Sequence, residues 1–170
     1  WFYHATEDSK VKTPEQLVDL YYKNVGHNAN FILNFPVDRT GRINKLDSIS
    51  AVKFHEIISR ELKTDILKGR VAKVSNTRGS KTPAKALTDG NYDSYWATKD
   101  GVTSATIQFS IPKQKVNRLM LQEYIPLGQR VQKFTVEYKD GKNWVPVTLN
   151  EETTTIGYKR LLRFPTVETT

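Results

Sequence analysis

The hydrophobic periodicity of the chain changes near Lys68, and that change constrains its architecture more than any other feature. Before it, apolar residues recur at helical spacing; after it, they alternate with polar ones, as on half-buried strands. One layer cannot serve both patterns, so two units are expected, residues 1–67 and 68–170.

The first part opens its clearest element at Thr13-Pro14-Glu15-Gln16. Thr13 is a helix N-cap, Pro14 suits the first helical position, and Gln16 completes a capping box, so the orphan N–H groups of the first turn are satisfied locally. Leu17, Leu20, Tyr21 and Asn24 follow on one face, and Gly26 is expected to end the helix in the left-handed conformation. The apolar run Asn30 to Phe35, closed by Pro36, suits a strand buried on both faces. A second helix is expected from Asp47 or Ser48, with Ala51, Phe54, Ile58 and Leu62 together. Helix, buried strand and helix is the order of a parallel α/β fold.

In the second part Ala105, Ile107, Phe109 and Ile111 alternate, as do Phe134, Val136 and Tyr138. Asp140-Gly141 separates two such runs and predicts a hairpin, because glycine tolerates positive φ. A further strand is expected over Ile156 to Phe164. Several strands with no long helix predict a β-sandwich or a barrel, with Trp96 and Trp144 in its core.

Composition narrows the function classes. The net charge of +8 is carried by Lys and Arg scattered singly among acidic and apolar residues, not by a clustered basic stripe, which argues against a nucleic-acid partner. No apolar run approaches the ~18 residues of a membrane span. Zero cysteines exclude disulfides and thiolate metal sites. A first residue of Trp, with no signal peptide, implies that something precedes it. His4, His27 and His55 lack the paired spacing of a metal site, and no phosphate loop or dinucleotide fingerprint occurs. Glu7, Asp8 and Asp38 read as solvated loop acids. Asp89, Asn91 and Ser94 are hard oxygen donors around the turn-forming Gly90, which suits either calcium or a self-capped Asx turn.

Three segments in succession, Trp1-Phe2-Tyr3-His4, Thr13 to Val18 and Asn28 to Asn34, resemble the end of the catalytic barrel in glycoside hydrolase family 29, the retaining α-L-fucosidases. Residues 45–67 are similar to the last helix of that (β/α)8-type barrel. Leu87-Thr88-Asp89-Gly90-Asn91-Tyr92-Asp93-Ser94-Tyr95-Trp96 and Val136 to Trp144 resemble the discoidin and coagulation-factor type C module, a galactose-binding-like sandwich, and this resemblance implies a jelly-roll-like β-sandwich.

The resemblance implies a part of a retaining exo-α-L-fucosidase acting on terminal fucose of glycans, in a bacterial periplasmic or secreted setting. It places the nucleophile and the acid/base upstream of the segment matching Trp1, so the chain alone is expected to be inactive. Retaining hydrolysis needs two carboxylates about 5 to 5.5 Å apart, and none here is assigned that role. It makes Trp1 the residue expected against the sugar, where an aromatic face would meet the methyl group of fucose. It gives the Asp89, Asn91 and Ser94 turn a structural calcium; no cofactor is required for catalysis. The module is expected to lack its last strand and to expose an edge. Residues 1–67 cannot close a barrel, which needs eight strands, so their buried faces are expected to meet the rest of the catalytic domain. The alternative is a non-catalytic carbohydrate-binding module, with the loop Tyr124 to Arg130 carrying the hydrogen-bonding groups Gln129 and Arg130.

Overall fold

The computed structural model describes residues 2–169. The chain divides into two compact units, Trp1–Thr64 and Asp65–Thr170, three residues before the boundary expected from periodicity.

The first unit is helical. A 3-10 helix, Ala5–Lys10, occupies the segment expected to be a loop. Helix α1, Pro14–Asn24, starts with the predicted capping box: Gln16 N–H donates to Thr13 Oγ1 at 3.3 Å, and Thr13 N–H donates to Gln16 Oε1 at 2.9 Å. Its end departs from expectation. Gly26 is not left-handed; the turn closes through Gly26 N–H to the Tyr21 carbonyl and Ala29 N–H to the Asn24 carbonyl, with Asn28 taking φ 70°. Asparagine tolerates that region because its short polar side chain can hydrogen-bond locally. Helix α2, Lys45–Glu61, begins two residues before Asp47, capped by the Asn44 side chain, which accepts from Leu46 N–H at 2.7 Å.

The two helices meet through Leu17, Val18 and Tyr22 of α1. The Tyr22 hydroxyl donates to Glu61 at 2.9 Å, and Ser50, buried on α2, donates to the Lys12 carbonyl. Phe31 stands edge-on to Tyr21 and to Phe54, with ring centroids 6.3 and 6.0 Å away. The run Asn30 to Phe35 is not the strand expected, and Ile32 is 88% exposed. Phe31, Leu33 and Phe35 are half-buried while Asn30, Ile32 and Asn34 are exposed, so the period-two alternation of a strand is present on one layer. A strand exists only through its ladder, and no described residue supplies one. An isolated bridge pairs Val37 with Ile43 in this unit.

The second unit is built from antiparallel ladders: β1 (Lys73–Val74) with β2 (Ile107–Gln108), β3 (Gln114–Leu121) with β6 (Arg160–Thr169), and β4 (Glu137–Asp140) with β5 (Asn143–Pro146). The hairpin falls where Asp140-Gly141 puts it. Gly141 takes φ 60° and Lys142 does not turn positive, as a type II′ turn requires. The run Ala105 to Ile111 pairs over two residues only, and Ile107 is 42% exposed. The last strand starts at Arg160 and continues past Pro165 to Thr169, beyond the predicted Ile156 to Phe164. It carries the core: Leu161, Leu162 and Phe164 are buried, against two faces rather than one. Its register on β3 shifts between Val116 and Arg118. Trp144, expected inside, sits on the short β4–β5 ribbon and is 47% exposed, since a two-stranded ribbon has too little sheet to cover an indole on both faces.

Candidate functional site

Asp89, Asn91 and Ser94 come together in one turn, where Gly90 takes φ 74°. Asn91 N–H donates to Asp89 Oδ1 at 2.9 Å, the Ser94 hydroxyl donates to Asp89 Oδ2 at 2.6 Å, and Asp93 N–H donates to Asn91 Oδ1 at 3.0 Å. The Ser94 hydroxyl, followed by Asn91 N–H, holds the Asp89 carboxyl below the usual carboxylate range. The turn is therefore closed by its own hydrogen bonds. As a cation site it offers oxygens of the type calcium takes, but one carboxylate against a demand for six to eight ligands. Among the described residues no three acidic, histidine or cysteine side chains gather. The donors fit calcium in kind, and the remaining ligands would have to be water and main-chain carbonyls.

From this turn a chain of contacts ties four loops of the second unit together. The ring of Tyr95 stacks on that of Tyr124, with centroids 4.6 Å apart and planes 14° from parallel. Trp96 Nε1 donates to the Asn76 carbonyl at 3.1 Å, Arg78 N–H donates to the Ala97 carbonyl at 2.8 Å, and the Arg78 guanidinium pairs with Asp100. Beyond Tyr124, the Glu123 carboxylate accepts Arg130 and Val131 N–H on Oε1, at 2.6 and 2.8 Å, and Gly157 N–H on Oε2, at 2.7 Å. The segments 75–78, 95–100, 123–131 and 156–158 thus form one connected loop face. Ile125, Leu127, Gln129, Arg130 and Tyr158 are exposed on it. An exposed tyrosine on one loop of the face, with amide and guanidinium groups on another, is chemistry suited to a polar ligand with an apolar face.

Sequence reasoning singled out Gln129 and Arg130 but missed Glu123, the tyrosine stack and the Arg78–Asp100 pair. Nothing local in the sequence joins Glu123 to positions seven and thirty-four residues away.

The three loop acids that the sequence singled out, Glu7, Asp8 and Asp38, are each hydrogen-bonded. Lys10 donates to Glu7 at 3.0 Å, and that bond holds the Glu7 carboxyl low. Asp38 accepts the Thr40 hydroxyl at 2.6 Å and Arg42 N–H at 3.1 Å, which lower its pKa in that order. Asp8 accepts from the Tyr3 hydroxyl at 3.3 Å. In the first unit a cleft of about 210 Å³ is lined by Lys12, Leu17, Asn34, Phe35, Asp47 and Ser50 among others, and burial, then the charge of Asp8, raises the Asp47 carboxyl. His27 Nδ1 lies 3.0 Å from the Tyr22 carbonyl, and His55 Nε2 lies 3.4 Å from the Ser59 hydroxyl. Trp1, the expected sugar-facing residue, lies outside the described residues.

The chain is 37% identical to a putative alpha-L-fucosidase 1 of rice over 99% of its own length and 32% of the relative's. It superposes on the crystal structure of a putative alpha-L-fucosidase from Bacteroides thetaiotaomicron with a TM-score of 0.91 and 39% identity, covering 99% of this chain and 37% of that one. A Ruminococcus gnavus GH29 fucosidase solved in complex with fucose gives a TM-score of 0.83 at 34% identity, over 93% of this chain and 32% of that one. The chain therefore spans about a third of the length of these relatives. The sequence profile of the F5/8 type C domain, a β-sandwich, matches residues 71–169, more than half of the chain, and with that match the chain belongs to the F5/8 type C domain family.

Proposed function

We propose that the chain is the C-terminal region of a retaining exo-α-L-fucosidase, which removes terminal α-L-fucose from glycans with catalytic carboxylates carried by polypeptide outside these residues. One observation carries the reading. The likeness to fucosidases extends over 99% of the chain, so it includes residues 1–64, which the F5/8 match does not explain. The alternating burial of residues 30–35 supports a barrel end in that segment: a helix-packed face on Phe31, Leu33 and Phe35, and an open face at Ile32. In this reading the first unit meets the rest of the catalytic domain, Trp1 walls the fucose site, and the sandwich has a jelly-roll-like order. A bacterial periplasmic or secreted location belongs to the same proposal and rests on the family resemblance alone.

The assay is release of the aryl group from an aryl α-L-fucoside. Turnover is expected from the longer polypeptide and not from the 170 residues alone; turnover by the short chain would overthrow the assignment of the carboxylates. In the longer protein, Trp1→Ala is expected to raise KM for the fucoside.

The Asp89 turn is proposed as a structural calcium site, supported by the convergence of Ser94 Oγ, Asp89 Oδ2 and the Asn91 carbonyl. Adding EDTA should lower the Tm of the wild type and leave that of Asp89→Ala unmoved. Equal responses would remove calcium from the reading.

The loop face favours a second role, glycan binding by the sandwich itself. Binding to a glycan array that survives deletion of residues 1–67 is the expected result, and loss of all binding on that deletion would argue against it.

A further inference from the structure

We propose that Glu123 is the positioning residue of the loop face, a single carboxylate that sets the loop 124–131 against the turn 156–158 and thereby preorganises the exposed groups on both. The proposal rests on the reading that this face binds glycan. A carboxylate has about four acceptor sites and no donor. Three of those sites are filled here by backbone N–H groups at 2.6 to 2.8 Å, two from one loop and one from the other. The backbone N–H of Glu123 donates back to the Gly157 carbonyl at 2.8 Å, which closes the link to the second loop from both sides. Hydrogen bonds to an ionised acceptor are about twice as strong as neutral ones. A backbone amide in an irregular loop otherwise turns to water or to motion.

The position of the carboxylate separates positioning from bracing of the core. Glu123 is half-buried at the root of a loop whose Ile125, Leu127, Gln129 and Arg130 are exposed, while the large buried apolar side chains of the unit, Leu161, Leu162 and Phe164, lie on β6. Loss of Glu123 therefore frees the loop tips and leaves the β3–β6 ladder intact. Glutamine cannot substitute: its amide nitrogen is a donor, and wherever it points it meets an N–H. Two neighbouring contacts extend the device. Gln122 Nε2 donates to the Tyr158 carbonyl at 3.1 Å, holding the backbone of the exposed tyrosine, and Tyr124 fixes the start of the loop on Tyr95.

Amide hydrogen exchange on the chain tests the positioning without any ligand. Slow exchange is expected at Arg130, Val131 and Gly157 in the wild type, at least tenfold faster exchange in Glu123→Gln on the side that the amide nitrogen faces, Gly157 or the pair Arg130 and Val131, and unchanged exchange at Leu119 and Leu162. The affinity for a fucosylated lactose, measured by calorimetry, should fall at least tenfold in the variant while Tm moves by only a few degrees. Unchanged exchange at the three amides, or a rise shared by the whole unit, would overturn the proposal, as would accelerated exchange with unaltered affinity. If Glu123→Gln does not fold, the wild type decides: Arg130, Val131 and Gly157 amides exchanging as fast as those of Gln129 and Gln132 would end it. A wild-type chain with slow exchange at these sites and no affinity for the sugar would sink the glycan reading alone.

Discussion

The rings of Tyr95 and Tyr124 lie face to face, 4.6 Å between centroids, and join the segment that follows the Asp89 turn to the loop that follows β3. Such a pair contributes about 0.5–1.5 kcal/mol beyond the area it buries. Both residues are half-buried, so Tyr124→Ala should cost about 2–3 kcal/mol in urea denaturation, less than the 3–5 of a fully buried aromatic. Tyr124→Phe keeps the stack and should stay within about 0.5 kcal/mol of the wild type. A loss for Phe equal to that for Ala would mean that the hydroxyl, not the ring, is the anchor.

The Asp89 carboxyl gives a pH dependence with a defined sign. Hydrogen bonds from Ser94 and from Asn91 N–H depress its folded-state pKa below the ordinary value, so the unfolded chain binds the proton more readily. The stabilisation is present in full above the unfolded value, near 3.9, and is lost as pH falls through the lower folded value. The Tm difference between wild type and Asp89→Asn should therefore be constant from pH 5 to 8 and shrink below about pH 4. A difference that grows on acidification would contradict the hydrogen-bond assignment.

What the sequence made legible was local chemistry. The capping box of α1 and the hairpin at Asp140-Gly141 are set by residues three or four apart, and both form as read. The Asp89 turn likewise closes among its own residues, as one of the two readings of its sequence had it. What failed depended on a partner distant in sequence. Residues 30–35 have the alternation of a strand but no ladder among the described residues, and Trp144 has the composition of a core residue but only a two-stranded ribbon beneath it. The loop face is the clearest case. Glu123 reads as an ordinary polar residue after a strand until Gly157 and Arg130 are brought to it. The left-handed residue after α1 was misplaced for the opposite reason: Gly26 is the better candidate by conformation, yet hydrogen bonds to Tyr21 and Asn24 carry the turn two residues further.

Removing the α1 cap tests the independence of the first unit. Thr13→Ala deletes the acceptor for Gln16 N–H and the reciprocal geometry of the box, and should cost about 1 kcal/mol. Thr13→Asn should recover most of that loss. Circular dichroism melts of the three proteins provide the measurement, and no difference between Thr and Ala would show that Pro14 and tertiary packing suffice to start the helix.

Arg160 presents a buried charge whose two simplest replacements should differ in an informative order. Its Nη2 pairs with Glu151 at 2.9 Å and donates to the Glu152 carbonyl at 2.6 Å, with the arginine side chain 8% and the glutamate 27% exposed. Its Nε has no hydrogen-bond partner among the described residues. Deleting the acid leaves a largely buried guanidinium without its carboxylate, whereas deleting the base leaves a carboxylate that already reaches water. Breaking a buried pair costs roughly 3–5 kcal/mol when one charge is stranded, and an apolar group of similar volume can replace such a pair at little cost. Glu151→Ala should therefore lose about 3 kcal/mol, and Arg160→Met, which also removes the unpartnered Nε, no more than about half of that. Equilibrium unfolding in urea at two salt concentrations checks both, since an interior pair is screened much less than a surface one. If Arg160→Met proved the more damaging, the bonds of the guanidinium to Glu151 and to the Glu152 carbonyl would outweigh the cost of burying its charge, because methionine keeps most of the apolar stem.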